Sequence, residues 1–152
     1  MKPLKRPSTT LAGIQVRTIN RNGQALQDLS YLWRTFYENQ VQQQITHRLN
    51  DDIWVVYHDY VSDHREEYTA FIGCPVAGPS FIPAGLDALT VADGLFLPRA
   101  VQGHMPQALM AEWEHIWQND AQLNRTYHQD YEIHPPAPAE DLACWIYLSV
   151  HA

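Results

Sequence analysis

The feature that most constrains the fold is a succession of predicted elements that occurs twice along the chain. In the first half, an alternating strand at 13–19 is followed by a helix from Gln24 to about Ile45 and by strands at 53–60 and 68–76. In the second half, a strand at 95–101 is followed by an amphipathic helix beginning near Pro106 and by strands at 127–134 and 143–150. The order strand, helix, strand, strand therefore predicts an α+β fold of two pseudo-symmetric βαββ repeats.

The two helices also share a local residue pattern. Trp33, Phe36, Tyr37 and Asn39 are matched by Trp113, Ile116, Trp117 and Asn119 at a constant offset of 80 residues. This favours an internal duplication. The repeat halves are placed at about 13–76 and 89–150 of a single domain, 1–152, with residues 1–12 as a flexible arm and a Pro- and Gly-rich linker between the halves. Antiparallel sheets would then carry two long helices side by side, flanking a central groove of the kind that binds small molecules.

Composition narrows the classes of partner. The 152 residues include 10 Lys and Arg against 17 Asp and Glu, a net charge of −7. Proteins that neutralise nucleic-acid phosphates usually show the opposite balance, so a cationic or neutral small molecule is the expected partner and nucleic acid is not. No segment approaches the ~20 apolar residues that span a membrane.

The two cysteines, Cys74 and Cys144, have neither metal-ligand nor disulfide-framework spacing. We predict that both are small buried residues, which suits a reducing cytoplasm. His58, Asp59, Asp63 and His64 are close in sequence, but His58 and Asp59 point to opposite faces of a strand. No metal site, cofactor or catalytic residue is therefore predicted.

The stretch Trp54–Thr69 resembles the first hairpin of the GyrI-like effector-binding domain, which is also the ligand-sensing half of certain AraC-type and MerR-type multidrug-responsive regulators. The helix with Trp113, Ile116 and Trp117 and the closing segments 131–134 and 146–150 are similar to that family at the level of pattern. The resemblance extends from about Leu11 to Val150.

This resemblance implies a domain that binds bulky, often cationic aromatic compounds. It also implies a stand-alone sensor that acts without a DNA-binding region, with a regulator protein as a further partner. Some members of the family are hydrolases of reactive compounds, so hydrolysis with Glu132 or Glu112 as the base is an alternative. A protein-interaction module that regulates an enzyme such as a topoisomerase is another.

Glu132 is the first candidate residue for a site. Side chains alternate along a strand, so Tyr131 and Ile133 share one face while Asp130, Glu132 and His134 share the other. The resemblance implies that Glu132 is the counter-charge of a bound cation. A solvated carboxylate at a sheet edge is the alternative interpretation.

Position 145 departs from the family. Many relatives have a glutamate just before the hydrophobic-Tyr pair of the last strand, where it serves ligand binding or water activation, whereas this chain has Trp145. The substitution removes an acid–base group and adds an aromatic wall, which favours binding over hydrolysis.

Aromatic residues supply the remaining candidates, because their faces attract organic cations. Core packing is the default for the helix aromatics, and Glu112 borders the stripe of the second helix as an acidic candidate at the rim. The predicted ligand-binding residues are Glu132, Tyr57, Tyr68, Trp113, Trp117, Trp145, Tyr147, Trp33, Phe36 and Glu112.

Overall fold

The structure is a computed structural model that describes residues 2–139 and 141–152. Its strands are β1 (Leu4–Arg6), β2 (Thr9–Thr18), β3 (Ile53–His58), β4 (Tyr68–Val76), β5 (Asp87–Val91), β6 (Gly94–Val101), β7 (Gln129–His134) and β8 (Cys144–Ser149). Its α-helices are α1 (Gln24–Glu38), α2 (Val41–Gln44) and α3 (Gln107–Gln118).

The eight strands form one antiparallel sheet in the order β1-β6-β8-β7-β3-β4-β2-β5. Outward from the centre, each half has the same succession: β3, β4, β2 on one side and β7, β8, β6 on the other. The central pair β3–β7 runs in register from Ile53 opposite His134 to His58 opposite Gln129. The two βαββ units of the predicted α+β fold therefore share one continuous sheet.

Both faces of this sheet are buried. Against one of them, the helix face, α1 and α3 pack Leu32, Phe36 and Ile116 onto alternate strand residues such as Val55 and Ile72. The opposite face holds a second apolar cluster, composed of Leu11, Trp54, Val56, Phe71, Val91, Phe96 and Tyr131. Burial on both sides explains why β3 consists almost entirely of apolar residues instead of alternating with polar ones.

The curl of the sheet closes over this second cluster. Gln129 of β7 donates from Nε2 to the carbonyl oxygen of Thr90 (3.1 Å), and its Oε1 accepts from the backbone N–H of Ala92 (2.8 Å). These bonds join the region of edge strand β5 to a central strand that is several positions away in the sheet. The outer strands therefore bend around the opposite face.

Three elements differ from the sequence prediction. Residues assigned to a flexible arm form β1, which pairs with β6, and the first part of β2. The helix predicted to continue to about Ile45 ends at Glu38, because Gln40 adopts a left-handed backbone conformation (φ 50°) before the short helix α2 begins. β5 lies within and just before the predicted second half, where no strand was assigned, and pairs with β2.

Cys74 and Cys144 are both buried and form no disulfide with each other, as the sequence indicated. Within the described part of the chain, no helix is long and apolar enough to cross a membrane.

Candidate functional site

A cleft of about 190 Å³ lies between α1 and α3 on the helix face of the sheet. The two helices supply its apolar sides, the strands supply its floor, and loops close its ends. Its lining residues are Asn20, Ala25, Leu26, Leu29, Tyr57, Tyr60, His64, Tyr68, Leu109, Met110, Trp113, Glu114, Trp117, Arg125 and Glu132.

The floor of the cleft contains Glu132, and only 1% of the surface of this residue is exposed to solvent. Alternation along β7 turns its side chain to the helix face, directly opposite Val55 of β3. Its Oε2 accepts hydrogen bonds from Tyr57 Oη and from Trp113 Nε1, each 2.7 Å long. These bonds satisfy the polar requirement of a buried carboxylate, but both donors are uncharged groups.

The other oxygen, Oε1, lies 2.7 Å from Nε2 of His134. In the described part of the chain, His134 is the only ion-pair partner found for Glu132, and it carries charge only when protonated. No described Lys or Arg pairs with this carboxylate. The floor of the cleft is therefore a site where a cation would be attracted in a low-dielectric environment.

A second buried carboxylate, Asp130, is compensated in a different way. Its Oδ2 accepts from Arg125 Nη2 and from Tyr60 Oη, each at 2.7 Å, and its Oδ1 accepts from the backbone N–H of Ser149. Arg125 also pairs with Asp120 at 3.2 Å. Since Arg125 is already held by two carboxylates, it does not neutralise the charge of Glu132.

Three tyrosines line the cleft, and the hydroxyl of each already has a hydrogen-bond acceptor. Tyr57 donates to Glu132, Tyr60 to Asp130 and Tyr68 to the side-chain oxygen of Asn20. Burial, followed by the negative charge of Glu132, raises the pKa of Tyr57 well above its usual value, so its hydroxyl keeps the proton that it donates. What these residues offer a ligand is therefore aromatic surface.

The aromatic rings are continuous from the floor to the end of the cleft. The ring of Trp113 meets Tyr57 edge to face at a centroid distance of 5.4 Å and lies 6.2 Å from Trp117. Trp117 in turn stacks on His64 at 5.4 Å with nearly parallel planes. Burial is the main cause that lowers the pKa of His64, which favours the neutral ring at this end of the cleft.

The sequence from residue 4 to residue 150 matches the model of the Cass2 family, whose description is integron-associated effector binding protein. The chain belongs to the Cass2 family. No curated protein matches the sequence of this Cass2-family chain significantly.

Solved structures share its fold across nearly the full length. SAV2435 bound to tetraphenylphosphonium superposes with a TM-score of 0.80 at 20% identity, covering 100% of this chain and 95% of the other. Integron cassette protein Cass2 from the mobile metagenome of Vibrio cholerae gives 0.77 at 20% identity, with 98% and 94% covered. The C-terminal domain of EcmrR gives 0.61 at 8% identity, with 98% and 95% covered. Together with the family match, they confirm the GyrI-like effector-binding fold.

In this Cass2-family protein, five of the ten candidate residues lie together in the cleft: Glu132, Tyr57, Tyr68, Trp113 and Trp117. They come from three strands and one helix. Their meeting follows from the central β3–β7 pairing and from the packing of α3 over it.

Trp145 and Tyr147 do not line the cleft, so the aromatic wall predicted at position 145 lies elsewhere in the structure. The β7–β8 register pairs Glu132 with Ile146, which turns Ile146 to the helix face and its two neighbours to the opposite face. There Tyr147 stacks on Tyr131 at 5.1 Å. Position 145 therefore contributes no side chain to this cleft.

Three further candidates on the helices also lie outside the cleft. Phe36 is packed in the core, and Trp33 contacts the ring of His134 edge to face at 5.1 Å, beyond the part of α1 that lines the cleft. Glu112 forms an ion pair with Arg99 of β6 at 2.7 Å. The predicted acidic rim at Glu112 is therefore replaced by an ion pair with a strand residue.

Sequence reasoning missed the loop residues Tyr60, His64 and Arg125 as parts of the site. No local pattern marks Arg125, because its role depends on a pairing with Asp130 that only the folded chain brings about. Leu26 and Met110 were missed as well: both are apolar helix residues that line the cleft, and only the structure shows that they are exposed. Among the described residues, no group of three or more His, Cys, Asp or Glu side chains is arranged to hold a metal ion.

Proposed function

We propose that this protein binds amphipathic, cationic aromatic small molecules in the cleft between α1 and α3. The observation that carries the proposal is the buried carboxylate of Glu132: Tyr57 and Trp113 are uncharged donors to it, and His134, its one ion-pair partner among the described residues, carries charge only when protonated. A ligand cation next to it would supply a positive charge that the two uncharged donors do not. The tetraphenylphosphonium bound to SAV2435, a protein of the same fold, is a molecule of this class.

Apolar burial would set the affinity of binding, and the charge of Glu132 would set its selectivity. Burial of aromatic ligand surface contributes about 25 cal/mol per Å², so most of the affinity would come from the apolar sides of the cleft. Contact with the rings of Tyr57 and Trp113 would add about 0.5–2 kcal/mol per cation–π interaction. The charge of Glu132 would provide the selectivity, because it distinguishes a cation from a neutral molecule of the same shape.

The position of Glu112 bears on the enzymatic alternative. That residue was one of two candidate bases for hydrolysis, and its carboxylate is engaged by Arg99 outside the cleft. Glu132 remains as the one acidic group at the floor, and its contacts are those of a fixed counter-charge. Binding without bond breaking is therefore the function that we favour.

Quenching of tryptophan fluorescence would test the proposal with two probes, tetraphenylphosphonium and the neutral triphenylphosphine oxide. The test variant is Glu132→Gln, whose amide oxygen can still accept from Tyr57 and Trp113. The matched control is Glu112→Gln, which removes a carboxylate outside the cleft. We expect Glu132→Gln to weaken binding of the cation by about tenfold or more and to leave the neutral probe unaffected.

Three results would contradict the proposal. The first is no saturable quenching of the wild-type protein by the cation. The second is equal affinity of wild type and Glu132→Gln for it, with both proteins shown to be folded by circular dichroism. The third is a loss of affinity in Glu112→Gln as large as that in Glu132→Gln.

A further inference from the structure

His134 is the one described residue that can bring a positive charge into direct contact with Glu132. The two side chains are two positions apart on β7 and share the helix face, so Nε2 of His134 reaches Oε1 of Glu132 at 2.7 Å. Tyr57 and Trp113 both bind the other oxygen. The carboxylate therefore has one oxygen held by neutral donors and one held by a titratable base.

The surroundings of His134 leave Glu132 as its electrostatic partner. From α1, it meets the uncharged ring of Trp33, and across the β3–β7 pair it lies opposite Ile53. Its side chain is 13% exposed, so a proton can leave to solvent without passing through the cleft. His134 itself is not part of the cleft lining, so a ligand would not need to displace the ring.

We propose that His134 is the resident counter-ion of Glu132, and that a cationic ligand enters the cleft in exchange for the His134 proton. The proposal rests on the cation binding proposed above. Whenever His134 is protonated in the free protein, it forms a neutral pair with ionised Glu132. When a monocation binds, the ligand takes over the positive charge of protonated His134: the imidazolium releases its Nδ1 proton to solvent and keeps the proton on Nε2, so the total charge of the site is unchanged.

The same contact serves both states. A neutral imidazole with its proton on Nε2 still donates to Glu132 Oε1 and loses only the proton on Nδ1 to solvent, so the geometry need not change. Proton and ligand then compete for one negative charge, and the competition is reciprocal: each lowers the affinity for the other by the same factor. His134 would thus determine how strongly the cleft prefers cations to neutral molecules at a given pH.

Other titratable groups near the site provide the controls. His64 lines the cleft, and its protonation would also repel a cation, so it must be separated from His134 by mutation. The pKa of Tyr57 is raised well above its usual value, mainly by burial, so its hydroxyl does not titrate in the range concerned. Glu114 is the other carboxylate among the residues that line the cleft.

Isothermal titration calorimetry with tetraphenylphosphonium would measure the exchange. Titrations near pH 6 in two buffers of different ionisation enthalpy give the number of protons released per ligand. We expect release of up to one proton per ligand, and an affinity that rises by up to about tenfold per pH unit over the range in which His134 is protonated. His134→Gln keeps a neutral donor for Glu132 and should show no release, whereas His64→Gln should retain it.

The outcomes separate this inference from the proposed function. Absence of cation binding at every pH would overturn both. Tight binding by wild type with no proton release and no change in affinity between pH 5.5 and 8 would overturn the exchange alone. Loss of proton release in His64→Gln, with release kept in His134→Gln, would overturn the role of His134. Proton release with neutral triphenylphosphine oxide would also contradict it, because no charge is then exchanged.

Discussion

Trp113 donates from Nε1 to Oε2 of Glu132 across 2.7 Å, a bond that joins helix α3 to the central strand β7. The same indole ring faces the guanidinium of Arg125, whose central carbon is 5.9 Å from the ring centroid. One side chain thus contacts both the Glu132 carboxylate and the Arg125 guanidinium. Trp113 is therefore a structural link as well as a wall of the cleft.

Replacing Trp113 by Phe should destabilise the fold more than its loss of ring area alone. Phe keeps an aromatic ring but has no N–H, so Glu132 loses a donor while buried. A hydrogen bond to a charged buried group contributes about 1.5–3 kcal/mol, and we expect a loss of that size in the free energy of unfolding measured with urea. The matched control is Trp117→Phe, whose ring stacks on His64 and is not among the hydrogen-bond partners found for Glu132 in the described part of the chain. Equal losses in the two variants would contradict the role of the bond.

The ion pair between Arg125 and Asp130 should be among the most sensitive positions in the chain. Both side chains are almost completely buried, and their closest atoms are 2.7 Å apart. Arg125→Met would leave the Asp130 carboxylate buried without its cation, which costs about 3–5 kcal/mol when a buried pair is broken on one side. Urea unfolding or thermal melting would measure this loss.

The control for this prediction is Arg65→Met. Arg65 pairs with Asp63 at 2.6 Å, but the arginine side chain is largely exposed to solvent. Exposed pairs contribute little, because water and salt screen them. We expect the unfolding midpoint of Arg65→Met to match wild type, and a similar decrease in both variants would contradict the importance of burial.

The sequence predicted the bounds of strands and the direction of their side chains wherever one face of an element was polar or a motif was distinctive. The strand Tyr68–Val76 was predicted with the bounds that the structure shows, and Glu132 was assigned to the strand face opposite Tyr131. In both cases, residue types and alternation are local properties. They do not depend on which strand is the neighbour.

The prediction failed where the answer depended on pairing. Cys144, Ile146 and Leu148 alternate with Trp145 and Tyr147 along β8, and both sets are largely apolar, so alternation could not show which set faces the helices. Only the register with β7 determines that. The short edge strand β5 was missed for a related reason, since most of its residues are exposed and its pairing with β2 spans a long loop.

Stability should decrease as the pH falls below neutrality, with His58 as one cause. Its Nε2 is buried and finds no hydrogen-bond partner among the described residues, and burial is the largest cause that lowers the pKa of this residue. The unfolded chain, with a histidine pKa near 6.5, then binds more protons than the folded chain. The urea midpoint should therefore be highest above about pH 6.5 and decrease below it.

His58→Gln should reduce the decrease in midpoint between pH 7.5 and pH 5.5, because the titrating group is gone. The matched control is His115→Gln, at an exposed position of α3. We expect that variant to show the wild-type pH dependence. An undiminished decrease in His58→Gln would show that other groups account for the acid sensitivity.

Leu26 and Met110 allow binding to be separated from stability. They extend into the cleft from α1 and α3, yet they are 57% and 44% exposed, so the fold gains little from burying them. Pockets that enclose drug-sized ligands usually measure about 300–1,000 Å³, more than this cleft contains. A ligand of that size would therefore extend outward against these two side chains.

Leu26→Ala and Met110→Ala should each weaken tetraphenylphosphonium binding several-fold, because each buried methylene that is lost costs about 0.8 kcal/mol. The free energy of unfolding of each variant should change by less than about 0.5 kcal/mol. Leu49→Ala, at a 61% exposed position outside the cleft, should change neither quantity. Unchanged binding in the first two variants would place the ligand away from this opening.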